Sequence, residues 1–246
     1  MEQKDHIIKV SKLNKSFGSN QVLKDFSMEL GRGENLVILG KSGSGKSVLI
    51  KCIIKLLEPD FGEIKVLDQN ISELDEDEMD LLRKDVGFLF QSNALYDSMT
   101  VRENLEFPLR RHWTLEEREN KAEEAVMEAL EDVGLSHTVN MMPAELSGGM
   151  RKRIALARTL ILKPQVILYD EPTTGLDPIT GREISELMIS IQEKYKASSV
   201  IISHDMNCIK MTSNRVIALI DGRNYETDTY DNLMKSTDPK VSEFFR

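Results

Sequence analysis

Apolar residues along this chain form short runs that alternate with segments of helical spacing. Residues 46–57 and 179–196 carry apolar side chains three and four positions apart, the pattern of amphipathic helices. Runs with the length and composition of buried strands occupy residues 35–39, 86–90, 166–169, 199–202 and 216–220. Strands that alternate with helices in this way predict an α/β fold with a parallel sheet covered by helices.

The N-terminal part of the chain follows a different pattern. Residues 7–13 and 22–30 are strand-like stretches separated by a turn at Gly18, which predicts a short antiparallel β layer. Residues 63–67 return as a strand, and residues 72–82 are acidic and lean towards helix. The β layer is therefore expected to precede and flank the parallel core.

The middle of the chain changes to helical character over residues 92–162, most clearly in 115–133. This stretch predicts a helical subdomain inserted into the α/β core. We expect a single domain that comprises residues 1–246. Its core with the β layer comprises residues 1–91 and 163–246, and the helical subdomain comprises residues 92–162.

Composition and charge narrow the classes of function. The 246 residues carry a net charge of −9, which argues against a main surface that binds nucleic acid, because phosphate neutralisation needs clustered Lys and Arg. Cys52 and Cys208 are far apart and flanked by apolar residues, which predicts buried thiols. Residues 1–9 lack the apolar region of an export signal, and no apolar run approaches the roughly 18 residues that span a bilayer. We therefore expect a cytoplasmic protein that would need another subunit to cross a membrane.

A glycine-rich segment between a predicted strand and a predicted helix carries the first candidate chemistry. It matches G-x-x-x-x-G-K-[ST], the pattern of a loop that binds nucleotide phosphates, although the pattern alone also fits a plain glycine-rich turn. Backbone N–H groups can surround a phosphate, Lys46 supplies positive charge, and Ser47 offers a hydroxyl to Mg²⁺. The predicted nucleotide-binding residues of this loop are Gly40, Lys41, Ser42, Gly43, Ser44, Gly45, Lys46 and Ser47.

Two adjacent acids follow the apolar run at 166–169. Ligands of α/β sheets collect at the carboxyl ends of the strands, so Asp170 and Glu171 are placed to act on a bound nucleotide. Phosphoryl transfer needs one group to hold Mg²⁺ and another to activate water, and we assign these roles to Asp170 and Glu171 respectively. Taken alone, Asp170 fits a helix cap or a turn before Pro172 equally well.

The segment Leu146-Ser147-Gly148-Gly149, directly before a basic helical stretch, carries a family resemblance. Together with the phosphate loop and the acidic pair, it resembles the signature of the ABC ATPase family, which implies a P-loop, RecA-like core. The resemblance implies that Ser147 and Gly149, with Gly148 between them, bind the γ-phosphate of ATP held by a second copy of the chain. Such a site is complete only in a homodimer.

Other positions of the same family pattern are also present. The resemblance implies that Phe17 stacks on adenine, that Gln91 contacts both metal and water, and that His204 contacts the γ-phosphate or the attacking water. Asp177, after Gly175 and Leu176, joins the nucleotide-binding set. With ATP and Mg²⁺ as cofactors, the predicted catalytic residues are Glu171, His204, Gln91 and Lys46, and the predicted metal ligands are Ser47, Gln91 and Asp170.

Within that family, Met150 after the two glycines and the Phe-Gln-x-x-Ala-Leu segment at 90–95 resemble the Mla-type ATPases. The tail at 238–245 is similar as well. This narrower resemblance implies an ATPase that moves phospholipid across or between bacterial envelope membranes. It implies a homodimer at the cytoplasmic face of the inner membrane. The implied partners are two integral-membrane permease chains and an MCE-type lipid-binding protein, and nucleic acid is not among them.

Three alternatives remain. The first is the ATPase of another importer-type ABC system. The second is a soluble ABC protein that acts on DNA or ribosomes, against which stand the acidic balance and the lack of a long coiled-coil insertion or a second ATPase half. The third is a GTPase switch, but the Asn-Lys-x-Asp segment for guanine is missing, since residues 14–17 fail at the last position.

Overall fold

The structure, a computed structural model, describes residues 6–245, so residues 1–5 and 246 of the predicted domain lie outside it. Within the described residues the strands are β1 (His6–Phe17), β2 (Asn20–Gly31), β3 (Asn35–Leu39), β4 (Phe61–Val66), β5 (Gln69–Asn70), β6 (Val86–Leu89), β7 (Val166–Asp170), β8 (Ser198–Ser203), β9 (Arg215–Ile220) and β10 (Arg223–Asp228). The α-helices are α1 (Lys46–Ile53), α2 (Glu76–Lys84), α3 (Val101–His112), α4 (Leu115–Asp132), α5 (Gly148–Leu160), α6 (Pro178–Tyr195), α7 (Met206–Thr212), α8 (Tyr230–Met234) and α9 (Pro239–Ser242).

The larger of two sheets has the strand order β10-β9-β3-β8-β7-β6. β9, β3, β8, β7 and β6 pair in parallel, which confirms the predicted parallel core. β10 pairs antiparallel with β9 at one edge and is absent from the sequence-based prediction. Its residues, Arg-Asn-Tyr-Glu-Thr-Asp, carry little apolar signal. A polar edge strand is held by its hydrogen bonds to a neighbouring strand, and those bonds leave no hydrophobic pattern in the sequence.

The smaller sheet is the predicted antiparallel β layer. Its order is β2-β1-β4-β5, with antiparallel pairing throughout. The alternate residues of β3 explain how the layer joins the core. Leu36 and Ile38 pack towards the β layer and α1, whereas Val37 and Leu39 pack towards α5 and α6 on the opposite face. Both faces of the parallel sheet are therefore covered, as its continuous apolar strands require.

Helices α3, α4 and α5 share a separate apolar core that includes Leu105, Val126 and Leu130. Threonine caps start two of these helices: the side chains of Thr100 and Thr114 accept the N–H of the glutamate three residues later, and each glutamate accepts the threonine N–H in return. α5 is the link to the rest of the fold, because its Ile154 and Ala157 belong to the helical core while Ala155 and Leu156 belong to the core of the parallel sheet.

Helix α1 is shorter than its apolar spacing predicts, since it ends at Ile53 and not at residue 57. Lys55 adopts a left-handed conformation with φ +53°. The Leu56 N–H donates to the Lys51 carbonyl at 2.8 Å and the Lys55 N–H donates to the Cys52 carbonyl at 3.1 Å. These two bonds form a Schellman C-cap, which a lysine completes here without the usual glycine.

Both cysteines are buried free thiols, as predicted, and burial raises the pKa of Cys52 to about 11. Within residues 6–245, no helix has the length and apolar character needed to cross a membrane.

Candidate functional site

The parallel register brings four chain segments together at one edge of the sheet. Leu39 lies opposite Ser203, Asp170 opposite Ile202, and Leu89 opposite Tyr169, so the residues that follow these strands emerge side by side. The glycine-rich loop follows β3, Gln91 follows β6, Glu171 follows β7 and His204 follows β8. The site is thus built at the carboxyl ends of the strands, where ligands of α/β sheets bind.

The loop from Gly40 to Gly45 is closely packed, and two of its glycines have a steric reason. A Cβ atom on Gly40 would lie 2.6 Å from Ser44 Oγ and 3.0 Å from the Leu219 carbonyl. A Cβ on Gly45, which has φ +104°, would lie 2.8 Å from Val22 Cγ1. Any side chain at either position would therefore displace the loop from the start of α1.

Lys46, the first residue of α1, turns its buried ammonium group back into this loop. Nζ donates to the Gly40 carbonyl at 2.8 Å and to the Lys41 carbonyl at 3.1 Å. It also lies 3.7 Å from Oε1 of Glu171. Within the described residues, the buried Ser44 Oγ has no hydrogen-bond partner. A cation, a free hydroxyl and the N-terminus of α1 together suit a phosphate group.

Ser47 and Asp170 form the oxygen-rich side of the site. Ser47 Oγ donates to Asp170 Oδ1 at 3.0 Å. Burial raises the pKa of Asp170, and the Ser47 hydrogen bond opposes that rise. Residues 6–245 contain no group of three or more His, Cys, Asp or Glu side chains arranged so that they could hold a metal ion. A hydroxyl and one carboxylate fit Mg²⁺, which usually takes one or two protein carboxylates and completes its shell with phosphate and water. When bound, Mg²⁺ neutralises phosphate charge.

Glu171 is held in a conformation that few non-glycine residues adopt, with φ +52°. Its N–H donates to the Ile202 carbonyl of β8 at 2.9 Å. Oε2 lies 2.7 Å from His204 Nδ1 and accepts a hydrogen bond from Thr174 Oγ1 at 3.1 Å. Strained backbone of this kind is found where the surrounding structure fixes a functional side chain. Here it directs the carboxylate towards the phosphate loop.

Lys46, Ser47 and Glu171 line a cavity of about 750 Å³, a size typical of small-molecule sites, whereas the predicted metal ligand Asp170 does not line it. Phe17, 48% exposed at the end of β1, lines the cavity with the phosphate loop. The C-terminal residues Glu243 and Phe244 also line it, and Glu243 accepts from Lys41 Nζ at 2.9 Å. Their position is not evident from the sequence. The predicted residues that line this cavity are Phe17, Gly40, Lys41, Ser42, Gly43, Gly45, Lys46, Ser47, Gln91, Glu171 and His204.

Of the other predicted nucleotide-binding residues, Ser44 lines neither this cavity nor the next, and four lie in a different cavity, of about 390 Å³. It contains Ser147, Gly148, Gly149 and Asp177, and neither Lys46 nor Glu171 lines it. Ser147 caps α5 by accepting the Met150 N–H at 3.2 Å. Asp177 caps α6 by accepting the N–H groups of residues 179 and 180, so its side chain has a structural use beside the signature segment. One copy of the chain does not bring the two groups of residues together.

Sequence reasoning missed one charged residue beside the site. Lys152 is 2% exposed, and its Nζ donates to the main-chain carbonyl of Gln91 at 3.2 Å. Burial lowers the pKa of Lys152 to about 8, while the negative charges of Asp170 and Glu171 oppose that fall. The available signal was spacing, because Lys152 shares a helix face with the buried Ala155 and Leu156.

This chain is similar to known proteins in sequence and in structure. A model described as "ABC transporter" matches residues 23–174, more than half of the chain. Among similar proteins, the probable ribonucleotide transport ATP-binding protein mkl of Mycobacterium leprae is 38% identical over 96% of this chain. The methionine import ATP-binding protein MetN of Campylobacter jejuni is 36% identical over 97%. The protein Trigalactosyldiacylglycerol 3, chloroplastic, of Arabidopsis thaliana is 36% identical over 98%. The chain spans 68%, 75% and 73% of the lengths of these relatives, respectively.

Solved structures are similar over nearly the whole fold. CbiO1 of Clostridium perfringens, part of the ABC transporter complex CbiONQ, is 29% identical with a TM-score of 0.85, over 97% of this chain and 94% of its own. The ATP-binding cassette MJ0796, a dimer in a post-hydrolysis state bound to ADP and phosphate, is 32% identical with a TM-score of 0.79, over 91% of this chain and 98% of its own. The chain therefore belongs to the ABC transporter family, as an ATP-hydrolysing subunit that uses ATP and Mg²⁺.

Proposed function

We propose that two copies of this chain close around two ATP molecules, each held between the phosphate loop of one copy and the signature segment of the other. The observation that carries this proposal is the separation of the two groups within one copy, with Lys46 and Glu171 in one cavity and Ser147 in another. The dimeric form of the similar cassette MJ0796 supports it. Closure would bring the N-terminus of α5 to the γ-phosphate, where a helix end favours an anion.

Within each shared site, the chain's own residues divide the chemistry. Lys46 and the loop N–H groups hold the phosphates, and Ser47, Asp170 and Gln91 hold Mg²⁺. Glu171 accepts the proton of the attacking water, and His204 keeps the Glu171 carboxylate in place while facing the γ-phosphate. Phe17 provides a ring for adenine. Asp177 acts beside Ser147 on the nucleotide of the other copy.

The proposed use of this ATPase is to drive a pair of permease chains from the cytoplasmic face of a bacterial inner membrane. Residues 92–162 would form the subdomain that meets the permease. An exposed aromatic pair in this region supports the assignment: the rings of Tyr96 and Phe107 lie 4.7 Å apart, and the two residues are 43% and 41% exposed. Exposed paired aromatics are typical of protein interfaces. Two-state closure of the dimer would then reach the permease through this surface.

The proposed substrate is phospholipid, with an MCE-type lipid-binding protein as a further partner. The support is the resemblance of the signature Leu-Ser-Gly-Gly-Met and of residues 90–95 to Mla-type ATPases. The name of the Arabidopsis relative also refers to a galactolipid. A second candidate is import of a small solute, since another relative of similar identity is named for methionine import.

Purification of the chain with its membrane partners from native membranes tests the choice between these substrates. Mass spectrometry identifies the partners and any bound lipid, and the reconstituted complex is then assayed for ATP-dependent movement of a fluorescent phospholipid between vesicles. We expect lipid movement that ceases when Glu171 is replaced by Gln. Recovery with a periplasmic solute-binding protein, together with ATP-driven uptake of that solute and no lipid movement, would refute the phospholipid assignment.

A further inference from the structure

Lys152 is a buried cation that the roles assigned above do not use. It lies on α5, four residues after the first residue of that helix, and only 2% of it is exposed. An ammonium group taken out of water is costly unless it finds a hydrogen-bond acceptor and compensating negative charge. The Gln91 carbonyl is the acceptor at 3.2 Å, and Asp170 and Glu171 supply the charge.

The segment that receives this hydrogen bond is irregular and strained. Gln91 lies two residues beyond Leu89, where β6 ends, and Asn93 and Ala94 have φ values of +64° and +51°. Residues other than glycine rarely adopt this left-handed backbone conformation unless the surrounding structure stabilises it. Arg158, also on α5, donates to the Ala94 carbonyl at 2.8 Å and to the Asn93 carbonyl at 3.0 Å. Two side chains of α5 thus donate to three carbonyl groups of residues 91–94, the Gln91 segment.

The two ends of this connection differ in function. α5 begins beside Ser147, the residue that we assign to the nucleotide of the other copy, and Gln91 lines the cavity that we assign to this copy's own nucleotide. A rigid helix that carries a cationic side chain can therefore transmit a displacement at its start to the position of Gln91.

We propose that Lys152 is a positioning residue for ATP hydrolysis: its ammonium group holds the main chain of Gln91 to α5 and so aims the Gln91 side chain at the metal and the attacking water. The proposal rests on the function assigned to Gln91 above. It makes Lys152 a structural link between the two nucleotide sites of the dimer, through hydrogen bonding and not through contact with ATP.

Three substitutions of Lys152 in the full chain test the proposal. Lys152→Met removes the donor while keeping the length of the side chain, Lys152→Gln keeps a neutral donor, and Lys152→Arg keeps a charged one. We expect kcat for ATP to fall by about 10–100-fold in Lys152→Met, which corresponds to the free energy of one hydrogen bond that involves a charged group. KM for ATP should change by less than about threefold. The expected order of kcat is Arg above Gln above Met. The Mg²⁺ concentration for half-maximal rate should rise in the same order as kcat falls.

Lys163→Met is the matched control, because Lys163 lies just beyond α5 in an exposed ion pair with Glu128. Its kcat should stay within about twofold of the wild type. The proposal would be overturned if the three Lys152 variants showed the same kcat and the same Mg²⁺ dependence as one another, whether or not these match the wild type. Loss of the folded far-UV circular dichroism spectrum in all three would overturn it as well, since it would make Lys152 a residue of stability alone. Glu171→Gln, assayed alongside, separates the two levels. An inactive Glu171→Gln with a fully active Lys152→Met rejects only the role of Lys152, whereas an active Glu171→Gln rejects the role assigned to Glu171 and leaves the three Lys152 variants to decide the role of Lys152.

Discussion

Oε2 of Glu171 lies 2.7 Å from Nδ1 of His204, across the gap between the ends of β7 and β8. The backbone fixes this approach as well, since the Glu171 N–H donates to the Ile202 carbonyl. The imidazole is largely exposed and the carboxylate is nearly buried, at 63% and 11% of their side-chain surfaces. His204 can therefore meet a ligand while it orients Glu171.

Replacement of Glu171 by Gln should reduce kcat for ATP by roughly 10²–10⁴-fold, because the amide cannot accept the proton of the attacking water. Nucleotide binding should persist, so that ATP accumulates in a closed dimer. Size-exclusion chromatography with ATP measures the dimer and phosphate release measures the rate. A variant that hydrolyses ATP at the wild-type rate would remove Glu171 from the role of base.

Replacement of His204 by Ala should lower kcat by a smaller factor, about 10–100-fold, since Oε2 of Glu171 loses one of its two hydrogen-bond partners and Thr174 remains. The decisive measurement is a double-mutant cycle with Glu171→Gln. If His204 acts on the same step, the two losses will be strongly non-additive. Simple additivity of the two free-energy changes would show that His204 works independently of Glu171.

Replacement of Lys46 by Ala should weaken ATP binding by about 100-fold, because the loop then loses the ammonium group that serves its phosphates. Fluorescence titration with an ATP analogue measures the affinity. Lys65→Ala, at an exposed lysine of β4, is the control and should bind normally. Wild-type affinity in a correctly folded Lys46→Ala would contradict the phosphate-loop assignment.

Linked heterodimers can show whether the site is shared between copies. In the first, one copy carries Ser147→Arg and the other carries Lys46→Ala. A shared arrangement leaves one site intact, so about half of the wild-type rate is expected. In the second, one copy carries both changes and the other is wild type, and each shared site then has one defect, so hydrolysis should be lost. The opposite pattern would mean that each copy completes its own site.

The local chemistry of this protein was determined by its sequence. The spacing from Gly40 to Ser47 predicts a phosphate loop, and the apolar run before Asp170 predicts a buried parallel strand, because both patterns depend on residues close together in the chain. For the same reason the order of strands and helices predicted the parallel core and the β layer. The end of α1 and the strand β10 were not predicted, because a lysine in a left-handed helix cap and a polar edge strand have no recognisable hydrophobic pattern.

Only the tertiary structure decided which distant residues meet. Strand register brings His204 to Glu171, and the C-terminal turn brings Glu243 to Lys41, although more than thirty and two hundred residues separate the pairs. The sequence places Lys152 in a basic helical segment, and only the packing of α5 directs its side chain inward to Gln91. These contacts arise when the core closes, because hydrophobic burial selects the register and the polar groups inside must then find the partners that the register offers.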